Sequence, residues 1–286
     1  MTKYYALGPA VLGLRDFPTH WPWSFWEWKL DAYRIPDTQP DLVAEYVPAY
    51  VTPSGTLVEE DRSAAGCRQT WRMADGSILW QDTGSADAVL QYRLAADGKT
   101  VTLCHDTTGT HGVAAFEALN FFIFPMLLTQ HVLTFHSVLL EHQGQGILIA
   151  APSGVGKTTH ARLWRDTKSA LILNGDRSPC YLKEGRWMAF GTPWCGTSGE
   201  NICRQVPIKA MVLLRRGEEN RIVPLSPMET VQSLLGLTAC PAWGGHQEEM
   251  ASLLDAFLKA VPVMGLACTP DERAVQTLAD WLEAMV

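Results

Sequence analysis

The sequence predicts an α/β protein of the α+β kind, with a mixed sheet in which a glycine loop follows a β-hairpin, behind a smaller β-rich N-terminal domain. Three observations predict it. Residues 45–110 alternate as hairpins closed by Asp-Gly turns. From about residue 132 apolar strands take over, and Ile147–Ala150 runs into the glycine-bearing loop Ala151–Thr158 and then a helix-forming stretch. Only the Gln143–Gly146 connection separates that strand from Phe135–Glu141. Parallel strands need a crossover of roughly a dozen residues or more, so these two must pair antiparallel.

The elements follow in chain order. Residues 1–45 contain Trp21-Pro22-Trp23-Ser24-Phe25-Trp26-Glu27-Trp28. Such a cluster of indoles either fills a core or forms a binding surface, and aromatic area favours the core. Thr70–Met73 and Ile78–Trp80 flank Ala74-Asp75-Gly76-Ser77, and Tyr92–Leu94 and Val101–Leu103 flank a turn with Asp97-Gly98. Glycine accepts positive φ there, which is a hairpin signal. Residues 114–130 read as a buried helix. Beyond the glycine loop, a helix is expected over about Lys157–Arg165 and a short buried strand at Leu171–Leu173. A hairpin is expected over about 179–190, turning at Lys183-Glu184-Gly185, and a strand at Ile208–Leu214. Helices are expected at 227–238, 247–260 and 270–285, with a strand at Val261–Leu266 between the last two. Pro270, Asp271 and Glu272 suit the start of the final helix. The domain division expected is 1–115 for the β-rich part and 116–286 for the nucleotide-binding part.

Composition excludes several function classes. The net charge of −7 leaves no basic face for nucleic acid or anionic membrane surfaces. The most apolar stretch, Phe116–Leu128, is interrupted by Glu117, Asn120 and Pro125 and is too short to span a bilayer. The N-terminus lacks a signal-peptide pattern. Seven cysteines at wide spacing, without C-x-x-C, point to reduced thiols rather than a disulfide framework or zinc site. A cytoplasmic protein is expected. His105, His111 and Glu117 do not make a metal site.

Ala151-Pro152-Ser153-Gly154-Val155-Gly156-Lys157-Thr158 matches the phosphate-loop pattern G-x-x-x-x-G-K-[ST] except for alanine at its first position. The chemistry follows from the residue types. Gly154 and Gly156 let the backbone curl so that successive N–H groups point inward. The helix N-terminus adds partial positive charge. Ser153, Gly154, Val155, Gly156, Lys157, Thr158 and Thr159 are therefore the expected nucleotide-binding set. Lys157 reaches the β- and γ-phosphates and the Thr158 hydroxyl ligates Mg²⁺. Asp176, just after a buried strand, either holds Mg²⁺ or accepts the proton of an attacking hydroxyl, although Asn174-Gly175-Asp176 is also turn chemistry. Glu200 and Asn201 lie in a polar loop that either approaches the metal or is simply solvated. Arg177, Arg204, Arg215 and Arg216 are candidates for neutralising transferred phosphate, and His160 is a helix-face residue.

His136-Ser137-Val138-Leu139-Leu140, then Ala151–Thr158, then Asn174-Gly175-Asp176-Arg177 together resemble the HPr kinase/phosphorylase group, which shares a fold with phosphoenolpyruvate carboxykinase. In that group a histidine opens the strand before the loop and aspartate follows the next strand, the places of His136 and Asp176. Gly191-Thr192-Pro193-Trp194-Cys195-Gly196 and Asn201 look like an HPr-kinase-like branch of bacterial proteins, and similar kinases accompany modified-peptide clusters. The resemblance covers about residues 132–285. It implies ATP and Mg²⁺ as donor and cofactor, with His136, Lys157 and Asp176 as the catalytic set. It also implies a Ser or Thr hydroxyl of a peptide or protein as acceptor. Three other readings stand beside it: a nucleotide-binding module without catalysis, a carboxykinase-like or small-molecule kinase, and an adaptor whose working surface is the Trp-rich front half.

Overall fold

The computed structural model describes residues 2–17, 23–63, 66–84, 89–105, 112–152, 154–240, 243 and 245–285. The chain divides into two compact units. The first comprises Met1–Gln130 with Cys240–Gln247, the second His131–Ala239 with Glu248–Val286.

The first unit holds β1 (Thr2–Leu7), β2 (Ala10–Arg15), α1 (Trp23–Leu30), β3 (Arg34–Ile35), β4 (Leu42–Tyr46), β5 (Gly55–Ser63), β6 (Gly66–Met73), β7 (Ile78–Gly84), β8 (Val89–Leu94), β9 (Thr100–His105) and α2 (Gly112–Leu128). Its strands form one nine-stranded mixed sheet in the order β3-β1-β2-β4-β9-β8-β7-β6-β5. Both expected hairpins occur, β6–β7 and β8–β9, each turning at a glycine with positive φ, Gly76 at 81° and Gly98 at 67°. The expected boundary at residue 115 is displaced to Gln130. The cause is α2, most of whose apolar side chains are buried within this unit: Phe116 meets the Trp26 ring edge-on at 5.1 Å and Phe122 stacks on Tyr92 at 4.8 Å. The indole cluster is split. Trp26 is fully buried and Trp28 is 70% exposed, with Lys29 Nζ 5.0 Å from its ring. Trp21 and the Trp23 side chain lie outside the described residues.

The second unit holds β10 (Leu133–His142), β11 (Gln145–Ala150), α3 (Lys157–Lys168), β12 (Leu171–Asn174), β13 (Arg177–Lys183), β14 (Arg186–Phe190), β15 (Gln205–Arg216), β16 (Arg221–Val223), α4 (Pro227–Leu237), α5 (Gln247–Ala260), β17 (Val263–Cys268) and α6 (Glu272–Ala284). Its eight strands form a mixed sheet ordered β11-β10-β13-β14-β15-β17-β16, with β12 also on β10 and β11 also on β15. β10 and β11 pair antiparallel from Ser137↔Ala150 to His142↔Gln145, as their short connection requires. β11 and β17 flank β15 in parallel.

Alternation along these strands explains the layering. Val138, Leu140, Ile147 and Ile149 belong to the core that buries Trp164 of α3 and Leu278 of α6. Leu139, Leu148 and Ala150 belong to the core of Leu234 in α4 and Phe257 in α5. Successive side chains point to opposite faces, so strands covered on both sides read as continuous apolar runs. The last helix begins slightly later than expected. Asp271 is its N-cap, accepting from Arg273 N at 3.0 Å, rather than a first-turn residue. Among the described residues no helix is long and apolar enough to cross a membrane.

Candidate active site

The loop between β11 and α3 is built by two glycines in conformations that L side chains rarely adopt. Gly154 has φ 76° and Gly156 has φ 121°, and a methyl group at either would meet nothing within 4 Å. Backbone freedom, not space, is therefore what these positions require. Val155 N donates to Pro152 O at 3.3 Å, while its side chain packs against the core. Arg216 Nη2 donates to Gly154 O at 2.8 Å, fixing the loop from the end of β15. Ala151 is 1% exposed, and its carbonyl accepts from Lys157 Nζ at 2.8 Å. Ser153 lies outside the described residues.

The second wall comes from the turn between β12 and β13, and Asn174 organises it. The residue is fully buried. Its Oδ1 accepts from Asp176 N at 2.9 Å and Arg177 N at 2.7 Å. Its Nδ2 donates to Thr192 O, Thr192 Oγ1 and Trp194 O, each at 3.1 Å. One amide thus holds the Asp176 turn and the 191–195 segment together. Close backbone approach completes the fit. A Cβ on Gly175 would stand 1.9 Å from Ser198 Oγ, and one on Gly196 would stand 2.9 Å from Asp176 Cγ.

These walls enclose a cleft of about 350 Å³ lined by His136, Gly154, Gly156, Lys157, Thr158, Thr159, Gly175, Asp176, Thr197 and Ser198. A chain of polar groups crosses it. Lys157 Nζ lies 3.2 Å from His136 Nε2, and His136 Nδ1 lies 3.2 Å from Asp176 Oδ1. That second approach is close but poorly aligned, leaving Nδ1 without a hydrogen bond. Arg177 Nε lies 3.3 Å from Asp176 Oδ2. For Asp176 burial raises the carboxyl pKa, but His136, Arg177 and Lys157 outweigh it and hold the pKa below the ordinary value. The Lys157 ammonium is pushed down, chiefly by burial, with Asp176 opposing and Arg177 assisting.

Of the residues singled out in the sequence, the structure brings His136, Gly154, Gly156, Lys157, Thr158, Thr159 and Asp176 to one cleft. Glu200 does not line it. Its carboxylate accepts from Arg165 Nη1 at 2.8 Å, while its carbonyl accepts from Gly175 N at 3.0 Å. Asn201 bridges to Asn174 as an extension of the β12 edge. Arg204 is paired with Glu141 at 3.1 Å and Arg215 with Glu229, so neither arginine is committed to the cleft. His160 is not a surface residue of its helix. It is 4% exposed and accepts from Trp164 Nε1 at 3.1 Å.

Thr197, Ser198 and the clamping role of Asn174 escaped the sequence reading. The run Gly196-Thr197-Ser198-Gly199 was the available signal, since two glycines one turn apart mark a backbone under special demand. Among the described residues no group of three or more His, Cys, Asp or Glu side chains could hold a metal ion. The oxygens of Thr158 and Asp176 share the cleft and are hard donors of the kind Mg²⁺ takes beside phosphate oxygens.

The model of the family described as SynChlorMet cassette protein ScmC matches residues 103–258, more than half of the 286-residue chain. The solved structure of the Hpr(Ser) kinase/phosphatase from Coxiella burnetii is similar at a TM-score of 0.32 and 13% identity, covering 53% of this chain and 96% of that one. No curated protein matches the sequence.

Proposed function

The chain belongs to the SynChlorMet cassette protein ScmC family, and we propose that it is an ATP-dependent kinase that phosphorylates a Ser or Thr hydroxyl of a peptide or protein. One observation carries the reading: Lys157, Thr158 and Asp176 line one cleft, reached from a strand–loop–helix unit and from the turn after the next strand. A loop with two left-handed glycines at a helix N-terminus suits a polyphosphate, because backbone N–H groups and the helix dipole both favour negative charge. We read the second unit as a kinase domain of the HPr kinase type on a phosphoenolpyruvate carboxykinase-like fold. The antiparallel hairpin ahead of the loop supports that reading.

The roles follow from position. The loop 151–158 binds the β- and γ-phosphates and Lys157 neutralises them. The Lys157 side chain already bridges Ala151 O and His136, so little reorganisation is needed to receive an anion. Thr158 and Asp176 would hold Mg²⁺, which would neutralise charge on the phosphate oxygens. Asp176, kept ionised by His136 and Arg177, also lies where it can take the acceptor's proton. Phosphoryl transfer asks mainly for positioning and charge neutralisation, and a weakly basic carboxylate suffices for that. Arg177 stands next to Asp176 as a further cation at the phosphate end.

The test is incubation with labelled ATP, Mg²⁺ and a library of Ser- and Thr-containing peptides. Label on polypeptide is expected. Label found only in small molecules would replace the peptide acceptor with a metabolite, and an absence of both ADP formation and nucleotide binding would remove the kinase reading.

A further inference from the structure

The wall facing the glycine loop carries a hydroxyl without a task. Building on the kinase reading above, we infer that Thr197 is an internal phosphoryl acceptor and that the protein phosphorylates itself there. Four hydroxyl side chains line the cleft: Thr158, Thr159, Thr197 and Ser198. Thr158 and Thr159 sit in the first turn of α3, on the donor side. Ser198 is committed in both directions, donating to Cys195 O at 2.7 Å and accepting from Glu200 N at 3.2 Å. Thr197 is exposed, and among the described residues its hydroxyl has no hydrogen-bond partner. An exposed, unpartnered hydroxyl loses no internal bond when it becomes a nucleophile.

Thr197 and Asp176 line the same cleft. Thr197 follows Gly196, whose backbone lies so close to Asp176 that a Cβ there would be 3.2 Å from Oδ2. Gly196, at φ 59°, opens the 3₁₀ turn that carries Thr197, and Gly199, at φ 70°, caps it. Holding acceptor and donor loop on one scaffold makes the transfer unimolecular, a large advantage over an acceptor arriving from solution. In the step, the bond from the γ-phosphorus to the β–γ bridging oxygen breaks and a bond from Thr197 Oγ1 to that phosphorus forms. The hydroxyl proton passes to water and ADP departs. The product carries about −1.5 to −2 charge beside Asp176, so a second nucleotide should bind the phosphorylated form more weakly.

The full chain is first treated with a phosphatase, then incubated with Mg²⁺ and labelled ATP, and its peptides are mapped by mass spectrometry. Phosphothreonine at Thr197 is expected, formed at a rate per molecule that does not change on serial dilution. Thr197→Ser should move the label to phosphoserine at that position, and Thr197→Ala should leave that peptide unlabelled. If the protein binds ATP or forms ADP while Thr197 stays unmodified, self-phosphorylation is overturned and the kinase reading stands. Label on Ser198 or Thr158 instead, or persisting in Thr197→Ala, overturns the assignment as well. A protein that neither binds nor consumes ATP overturns both.

Discussion

Lys157 concentrates the electrostatics of the cleft in one side chain, bonded to Ala151 O and facing His136 across 3.2 Å. A charge-assisted contact of this kind contributes roughly 1.5–3 kcal/mol. Lys157→Ala should therefore weaken Mg-ATP binding about ten- to a hundredfold, and unchanged affinity by calorimetry in a folded variant would remove the central claim. Asp176→Asn keeps the shape and discards charge and basicity, so it should slow turnover by about 10²–10⁴ with a smaller effect on affinity. Near-full phosphoryl transfer would reduce Asp176 to a turn residue. His160 gives a prediction about stability. Burial pushes its imidazole pKa down to about 4 from an ordinary 6.5. Between those values the unfolded chain binds a proton that the folded chain refuses, so stability falls as pH drops from about 6.5 to about 4. At about 1.4 kcal/mol per tenfold difference in proton affinity, the loss approaches roughly 3 kcal/mol. Denaturant unfolding across that range should show it, and His160→Gln should flatten it; identical slopes in the two proteins would acquit His160. At this scale the site was legible where its signal is local. Gly154, Gly156, Lys157 and Thr158 declare themselves by spacing, and Asp176 by following a strand. The direction of Glu200 was not legible, because it is set by Arg165, on a different element.

The elements themselves were read from alternation and turn chemistry, and the hairpin β10–β11 even yielded its direction, because a short connection leaves no other choice. What local pattern does not encode is which strands share an edge. β12 and β13 lie along one side of β10, pairing with its Leu139–Glu141 and Leu133–His136 halves respectively, and that shared edge is what turns Asp176 toward the loop. Nothing near Asn174 in sequence reports the Thr192 and Trp194 carbonyls that fill its amide. The same packing makes Gly175 the most constrained position of the site. Gly175→Ala would drive a methyl group to 1.9 Å from Ser198 Oγ and 2.7 Å from its Cβ. Overpacking of this kind costs about 1–3 kcal/mol. Ser198→Gly removes both clashing atoms, so the double variant should recover most of that loss. If thermal unfolding shows the two changes to be simply additive, the close approach is not what demands glycine at 175.

For the whole molecule the informative fact is that the chain crosses between its units more than once. Cys240–Gln247 returns to the first unit from within the second, where Trp243 lies 6.0 Å from Phe122 and its carbonyl accepts from Arg72 Nη2 at 3.5 Å. The sequence points to a single cut at residue 115 because the strand alternation ends there and a helix begins. Composition cannot say which unit claims that helix, since an apolar helix is equally content in either core. The structure assigns α2 to the first unit, with Phe116, Phe122 and Ile123 fully buried. Burial of each such side chain is worth roughly 1.5–3 kcal/mol, which sets the outcome of a truncation experiment. A fragment beginning at residue 116 carries α2 without the sheet that buries Phe122 against Tyr92 and Trp80. It should expose a large apolar surface and aggregate. A fragment beginning at His131, with 240–247 replaced by a short Gly/Ser linker, retains both cores of the second unit and should stay monodisperse in size-exclusion chromatography. It should also keep measurable Mg-ATP affinity, since every residue lining the cleft belongs to that unit. The reverse result, a well-behaved fragment from 116 and an aggregated one from 131, would place α2 with the second unit and return the boundary to 115.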